Sequence, residues 1–248
     1  MSLARLTYYV LWIAPAVLLT AVATVMKVRR LERELPAFFA YCVFSAVRTP
    51  ILLVVFHQTT AYFYSYWTAE ALSAILGFAA IYEVFRHLFR AHEATSRLGS
   101  LLFRWTAAGF VLLAVVAAAL AHRGDANWLA AGVLAVAQGV RLVQCGLLLF
   151  LFFFSSFSGH TWRSHLFGIA VGFGLFAAVQ LVAAGMQAHL GMGNNTTWVW
   201  VNMTSYNCAV LVWMMYLLAP QPAEAAPPAP VAAEVKSWNQ ALLQLLQR

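Results

Sequence analysis

Seven apolar runs, each long enough to cross a lipid bilayer, constrain this chain more than any other feature. They fall at residues 6–26, 36–56, 62–88, 99–121, 127–154, 165–188 and 198–218. A helix rises about 1.5 Å per residue, so roughly 20 apolar residues cross the hydrocarbon layer. Inside lipid a single segment must satisfy its own backbone polar groups, which makes each run a helix. The sequence therefore predicts an all-α fold, a polytopic seven-transmembrane-helix bundle over residues 1–220.

The composition of the chain indicates the same class. Of its 248 residues 63% are apolar and only 9% are charged, with a mean hydropathy of +0.77. Soluble domains carry about 25% charged residues. The net charge of +7 comes from basic residues at the predicted helix ends, a pattern typical of membrane orientation. We therefore expect the lipid bilayer as a partner, no nucleic acid and no cofactor.

The distribution of Lys and Arg predicts the orientation of the bundle. Eleven of the 15 basic residues fall on one side of the predicted bundle, and only two fall on the other. Basic residues accumulate on the cytoplasmic side of membrane proteins. The N-terminus is therefore expected outside and the C-terminus in the cytoplasm. The first run, residues 6–26, has no clear cleavage site and is expected to remain as a span.

The residues after the last span form a tail of different composition. Residues 221–234 are rich in Pro and Ala and are expected to be a disordered linker. Residues 235–248 place Trp238, Leu242 and Leu245 at helical spacing, which predicts a cytoplasmic amphipathic helix. Two interpretations stay open. This helix packs on its own bundle or on lipid, or it docks a cytoplasmic or membrane protein partner.

Three charged side chains interrupt the interiors of the predicted spans, namely Arg48, Glu70 and Arg141. Charge in lipid is costly, so these side chains should face the bundle interior and be paired. Arg48 and Glu70 each lie eight residues from the outer end of their helix, which is roughly 12 Å below the surface. The short loop between these two helices makes them antiparallel neighbours. The sequence therefore predicts an Arg48–Glu70 ion pair.

Other polar side chains lie at a similar depth and complete a predicted ligand-binding cavity in the outward half of the bundle. Its full set is Arg48, Tyr66, Glu70, Gln138, Arg141, Gln180, Asn202 and Tyr206. Two arginines beside one carboxylate leave a surplus positive charge, which favours a small anionic or lipidic ligand.

Three other interpretations of the same residues remain open. The polar groups act only as hydrogen bonds between helices, as in a structural subunit. They belong to a transporter or proton pathway that runs toward Glu83. Or the protein is an intramembrane enzyme acting on a lipid or isoprenoid, with Glu70 as the general base.

Glu83 and the histidines are expected to be peripheral to this cavity. Glu83 is 13 residues from Glu70, a rotation of roughly 220° around the helix, so the two do not share a face. Arg86 and His87 follow Glu83 at helical spacing and predict a local ion pair. The seven histidines lie near predicted helix ends without a closely spaced pair, so no metal site is predicted. Neither lysine lies in a span, which excludes a retinal Schiff base, and no catalytic or phosphate-binding motif occurs.

Several of these residues also carry a family resemblance. The third span reads WTAE and then IYEVFR, the second reads FFAYCVFSAVR, and the tail reads SWNQALLQLL. The residues concerned are Phe39, Tyr41, Arg48, Trp67, Glu70, Glu83, Phe85, Trp238 and Leu242. In these motifs the chain resembles a group of uncharacterised seven-span membrane proteins of acidobacterial type, which implies a multi-pass protein of the bacterial inner membrane. It more loosely resembles the seven-span input modules of histidine kinases, which implies a receptor-like or accessory role.

Overall fold

The fold consists of long α-helices throughout the described residues. A computed structural model describes residues 3–88, 139–146, 164–190 and 196–220, and positions 105, 108–109, 112, 149 and 237–238. The five long helices are α1 (Leu3–Val28), α2 (Pro36–Val55), α3 (Thr59–Leu88), α4 (His165–Leu190) and α5 (Thr196–Leu218). Residues 139–146 are also helical and are called the 139–146 segment.

All five long helices are sufficiently long and apolar to cross a membrane. Their bounds match the first three and the last two predicted spans to within a few residues. The prediction of a helical, multi-pass membrane protein is therefore confirmed. The predicted spans at 99–121 and 127–154 lie largely outside the described residues, as does the linker at 221–234. The count of seven spans and the orientation stay predictions.

The helices pack as a ring of neighbours. Helix α1 lies between α2 and α5, α2 packs on α3, α4 packs on α5, and α3 touches α4. The 139–146 segment packs against both α3 and α4. Its Gln144 amide nitrogen lies 3.6 Å from where a Cβ atom on Gly77 would stand, and its Cys145 sulfur lies 4.0 Å from the carbonyl oxygen of Gly174. This segment therefore brings its side chains to the interior of the bundle.

Helices α4 and α5 approach each other closely because glycines lie at their contact. Gly168 faces the ring of Tyr216, and Gly172, one turn further along α4, faces the indole of Trp213. A methyl group on either glycine would overlap the facing ring. The indole N–H of Trp213 donates to the carbonyl oxygen of Ile169 at 3.1 Å. Pairs of small residues one turn apart are a common basis of helix association in membranes.

Four aromatic side chains, Phe38, Tyr41, Phe173 and Trp213, form an aromatic layer across the core. Their ring centroids lie 4.8 to 5.9 Å apart with steeply inclined planes. Such edge-to-face arrangements are the favoured geometry of aromatic pairs. None of the four side chains is more than 5% exposed. The aromatic layer therefore joins α2, α4 and α5 in a dry contact.

One end of α2 is capped by a side chain from α3. Helix α2 begins at Pro36, has no acidic residue in its first turn and has no side-chain cap of its own. The two carboxylate oxygens of Glu83 accept hydrogen bonds from the backbone N–H groups of Ala37 and Phe38, at 3.1 and 3.0 Å. A carboxylate at this position satisfies free N–H groups and the positive end of the helix dipole. Glu83 thus fixes α2 to α3.

The local ion pair predicted for Glu83 is therefore wrong. Its carboxylate turns to α2 because two fixed N–H donors stabilise it better than the exposed side chain of Arg86, whose gain in water is small. The side chain of His87 contacts the backbone carbonyl oxygen of Glu83, at 2.9 Å, and not its carboxylate.

A positively charged side chain caps another helix at the same end of the bundle. Arg29, between α1 and α2, donates to the carbonyl oxygens of Leu218 and Ala219 at 2.9 and 3.3 Å. These are terminal carbonyls of α5, where a positive charge complements the helix dipole. We call this end of the bundle, with Glu83, Arg29 and the adjoining aromatic layer, the capped end.

Candidate functional site

Three charged side chains from different parts of the chain meet inside the bundle. These are Arg48 of α2, Glu70 of α3 and Arg141 of the 139–146 segment, which together we call the charge cluster. Arg48 Nη2 donates to Glu70 Oε2 at 2.8 Å, and Arg141 Nη2 lies 3.8 Å from Glu70 Oε1. The predicted Arg48–Glu70 ion pair is confirmed. The cluster is half-buried, with side-chain exposures of 20%, 23% and 16%.

The level at which this pair forms follows from the short α2–α3 connection. Helix α2 ends at Val55 and α3 begins at Thr59, so the two helices run antiparallel. Arg48 lies seven residues before the end of α2, and Glu70 lies eleven residues after the start of α3. The difference of four residues is one helical turn, about 6 Å, which a long arginine side chain is able to span. Sequence spacing therefore places the two residues near one depth, and the length of the Arg48 side chain completes the pair.

Tyr66 forms an aromatic wall beside the charge cluster. The guanidinium carbon of Arg48 lies 5.5 Å from the centroid of the Tyr66 ring. Tyr66 stacks on Tyr62 at 6.1 Å, and Tyr62 contacts Phe56 at 5.7 Å. A cation over an aromatic face is attracted by the ring quadrupole. Arg48 is therefore held by two partners, the Glu70 carboxylate and the Tyr66 ring.

Hydroxyl groups continue from the charge cluster toward the capped end. Ser45 and Tyr41 lie one and two turns from Arg48 on the same face of α2. The Tyr41 hydroxyl lies 3.5 Å from the hydroxyl of Tyr206. Ser45 is 7% exposed, and its hydroxyl has no hydrogen-bond partner among the described residues. A buried unpartnered hydroxyl is unfavourable and indicates a place for a water or ligand atom.

We call the hydroxyl groups of Ser45, Tyr41 and Tyr206 the polar column. The polar column ends at the aromatic layer. Tyr41 belongs to both, since its ring contacts Phe173 and Trp213 at 5.2 and 5.9 Å. Further toward the capped end, the buried side chains of Ile81 and Val84 line α3. In the described part of the chain, the space between Glu70 and the Glu83 end is therefore filled by packed aromatic and aliphatic groups.

Of the predicted site residues on α4 and α5, Tyr206 belongs to the column through its contact with Tyr41, and none joins the charge cluster in the described part of the chain. Asn202 lies one turn from Tyr206, and its side-chain oxygen is buried without a partner among the described residues. Gln180 is buried and makes no hydrogen bond to the cluster within the described ranges. Phe176, one turn from Gln180, packs on the Tyr206 ring at 5.2 Å. Gln138 lies outside the described residues.

The predicted docking surface of the tail is described at one position. Trp238 is helical and 66% exposed. Leu242 and Leu245 lie outside the described residues. Docking of a partner by this tail therefore stays a prediction.

Three interior polar residues were not identified from the sequence. Ser45 is three positions from Arg48, and Gln144 is three positions from Arg141, so helical spacing alone was a sufficient signal for both. Asn207 had no such signal. Its amide donates to the carbonyl oxygens of Leu11 and Met203 at 3.0 and 2.8 Å, which joins α5 to α1.

The charge cluster carries more positive than negative charge. Two guanidinium groups offer more N–H donors than one carboxylate has lone pairs, and the formal charge of the cluster is one positive unit. Such groups match planar oxyanions well. Among the residues that the structure describes, no group of three or more His, Cys, Asp or Glu is placed to hold a metal ion.

Comparison of the chain with protein-family models, curated proteins and solved structures finds no match. The fold and the site therefore define the class by themselves. It is a multi-pass helical membrane protein with an arginine–glutamate–arginine cluster inside the bundle. The resemblances to seven-span acidobacterial proteins and to histidine-kinase input modules stay predictions.

Proposed function

We propose that this protein is a receptor-like or accessory membrane protein that binds a small anionic or lipidic ligand at the charge cluster. One observation carries the proposal: Arg48 and Arg141 both face the single carboxylate of Glu70 among apolar helices. An uncompensated charge in a medium of low dielectric is unfavourable. A bound anion removes that penalty, and the cluster keeps about a fifth of its side-chain surface accessible.

The neighbouring polar groups provide orientation for such a ligand. Within the described residues the hydroxyl of Ser45 and the amide oxygen of Asn202 have no hydrogen-bond partner, and both are able to accept hydrogen bonds from a ligand. Tyr66 offers an aromatic wall on the other side. Few polar contacts in an apolar pocket are the usual basis of ligand specificity.

The proposal places the ligand in a seven-helix bundle of the bacterial inner membrane, with the N-terminus outside and the charge cluster in the outward half. In this arrangement Glu83 and Arg29 are cytoplasmic, beside the start of the tail. Ligand binding changes the balance between bundle states, and the tail helix around Trp238 reports that change to the membrane or to a partner.

An enzyme with Glu70 as general base is less well supported. Both oxygens of Glu70 already contact guanidinium groups. These contacts favour Glu70 as a fixed electrostatic partner over a role in proton abstraction.

A transporter or proton pathway from Glu70 to Glu83 is also less well supported. The aromatic layer lies between the two carboxylates, and Phe38 and Trp213 in it are at most 1% exposed. A conducting path would have to open this packed contact.

Native mass spectrometry of the protein purified in mild detergent tests the proposal. The wild type is compared with Arg48→Gln and Arg141→Gln, each of which reduces the formal charge of the cluster to zero. We expect a retained small anion in the wild type and its loss in both variants. Glu83→Gln is the control, since it removes a charge from α3, the helix that also carries Glu70, at a position outside the cluster.

The competing structural interpretation predicts a different pattern. If the cluster only joins helices, the wild type is empty and both arginine variants lose thermal stability. That result would contradict the proposed function.

A further inference from the structure

The two arginines of the charge cluster make unequal contacts with Glu70. Arg48 forms a hydrogen bond of 2.8 Å to the carboxylate and lies over the Tyr66 ring. Arg141 lies 3.8 Å from the other carboxylate oxygen, which is beyond hydrogen-bond distance. Arg141 makes no hydrogen bond to any residue in the described part of the chain. Arg48 is therefore occupied, while within the described residues the N–H donors of Arg141 have no hydrogen-bond acceptor.

The charge balance of the cluster limits the ligand further. The Arg48–Glu70 pair is neutral as a unit, so the surplus charge belongs to Arg141. One negative charge neutralises it, whereas a dianion would leave a net negative charge in the same apolar surroundings. A guanidinium group prefers planar oxyanions that accept two parallel hydrogen bonds.

On the basis of the proposed function, we infer that Arg141 is the residue that contacts the ligand, and that the ligand presents a monoanionic oxyanion such as a carboxylate or phosphodiester. Arg48 and Glu70 are positioning residues in this arrangement. Glu70 holds Arg48 against Tyr66 and keeps the Arg141 side chain near the polar column that contains Ser45.

Such an oxyanion has two sources, a membrane lipid with an acyl tail or a small free carboxylate. Four probes distinguish a lipid from a free carboxylate, and a monoanion from a neutral molecule or a dianion. Dodecanoate is the monoanion with a tail, methyl dodecanoate is its neutral match, dodecyl phosphate at pH 8 is its dianionic match, and acetate lacks the tail. Occupancy is titrated by native mass spectrometry. We expect wild-type protein to bind dodecanoate at least about tenfold more tightly than the neutral ester or the dianion.

Two charge-matched double variants then identify the arginine. Arg48→Gln/Glu70→Gln keeps Arg141 and the single surplus charge, and it is expected to retain dodecanoate binding at an affinity lowered by the loss of the two positioning residues. Glu70→Gln/Arg141→Gln keeps the same net charge on Arg48 and is expected to bind at least about tenfold more weakly than the first double variant. Arg141→Gln alone, which breaks no hydrogen bond among the described residues, gives the same loss if a double variant fails to fold. Arg141→Lys should recover part of the affinity.

Each other outcome contradicts a definite part of the account. If only the variant that keeps Arg48 binds, or if both double variants bind equally, the assignment of Arg141 is wrong and the proposed function stands. If dodecyl phosphate binds more tightly than dodecanoate, the monoanion is wrong and an anion site stands. If acetate binds as tightly as dodecanoate, the ligand is a free carboxylate. If no anionic probe binds better than the neutral ester, the proposed function itself fails.

Discussion

Two glutamates of α3 occupy opposite environments. Glu83 gives both carboxylate oxygens to the backbone N–H groups of Ala37 and Phe38. Glu70, about 20 Å away along the same helix, gives its oxygens to two flexible cations, Arg48 and Arg141. Each oxygen of the Glu83 carboxylate accepts a hydrogen bond from a fixed backbone donor. The single negative charge of Glu70, by contrast, lies beside two positive charges.

The difference separates a structural carboxylate from a candidate functional one. At the capped end, donors and acceptors match, the helix dipoles are compensated and the adjoining aromatic layer is dry. At the charge cluster, the positive charge is in excess, and hydroxyl and amide groups nearby lack partners among the described residues. A protein gains stability from the first kind of arrangement, whereas the second kind is retained where a ligand completes it.

The largest expected effect comes from breaking the close contact between α4 and α5 at the aromatic layer. Gly172→Leu places a side chain into the indole of Trp213 and should lower the free energy of unfolding by about 3 kcal/mol. Unfolding in mixed micelles of increasing SDS content measures this. Gly185→Leu in the same helix is the control, because nothing lies within 4 Å of a Cβ atom there. Equal losses in both variants would show that α4 and α5 do not pack as described.

Removal of the α2 cap should have the next largest effect. Glu83→Ala leaves the N–H groups of Ala37 and Phe38 without acceptors and should lower the free energy of unfolding by about 2 kcal/mol. Glu83→Gln keeps one acceptor oxygen and should lose about half as much. Ligand affinity at the charge cluster should be unchanged in both variants. A loss of affinity without a loss of stability would reverse the roles of the two glutamates.

Glu70→Gln tests how the other carboxylate sets the charge of the ligand. The formal charge of the cluster rises from one to two positive units, so dianions should gain over monoanions. The ratio of affinities for dodecyl phosphate and dodecanoate should rise by about tenfold, measured by the same titration. Stability should fall as well, because both guanidinium groups lose the counter-charge that they have among the described residues. An unchanged ratio of affinities in the folded variant would show that Glu70 does not set the charge of the site.

The smallest expected effect is a gain in stability at the turn after α1. Arg30 has a φ of 58° at the end of that helix, where its N–H donates to Lys27 and that of Leu31 donates to Met26. This left-handed position favours glycine. Arg30→Gly should raise the free energy of unfolding by about 0.5 kcal/mol. Arg33→Gly removes the same charge from the same loop and should show no gain.

The parts of the fold that follow from chain geometry could be predicted from the sequence. Apolar length predicted the five long helices that the structure describes, and equal distance from the predicted helix ends predicted the Arg48–Glu70 pair, although α3 begins three residues earlier than predicted. Both arguments need only the rise of a helix and the cost of charge in lipid.

The parts that depend on which helix a side chain faces could not be predicted. The spacing of Glu83 from Arg86 and His87 indicates a contact within α3, whereas its carboxylate binds the backbone at the uncapped start of α2. The spacing of Gly168 and Gly172 indicates a close helix contact, but it does not name Trp213 as the partner. Asn207 joins α5 to α1 through the backbone carbonyl of Leu11. Because every residue has a backbone carbonyl, the sequence does not indicate which one accepts the hydrogen bond.

The central claim is that the surplus charge of the cluster exists for a ligand, and the mass of the purified protein tests it most directly. The difference between native and denatured masses of wild type and Arg141→Gln would be measured side by side, together with their thermal stability. The account predicts a bound anion in wild type and none in Arg141→Gln, and a wild type that is the more stable of the two only while the anion is bound. An empty wild type and a less stable Arg141→Gln would contradict it and make the cluster a structural contact between helices.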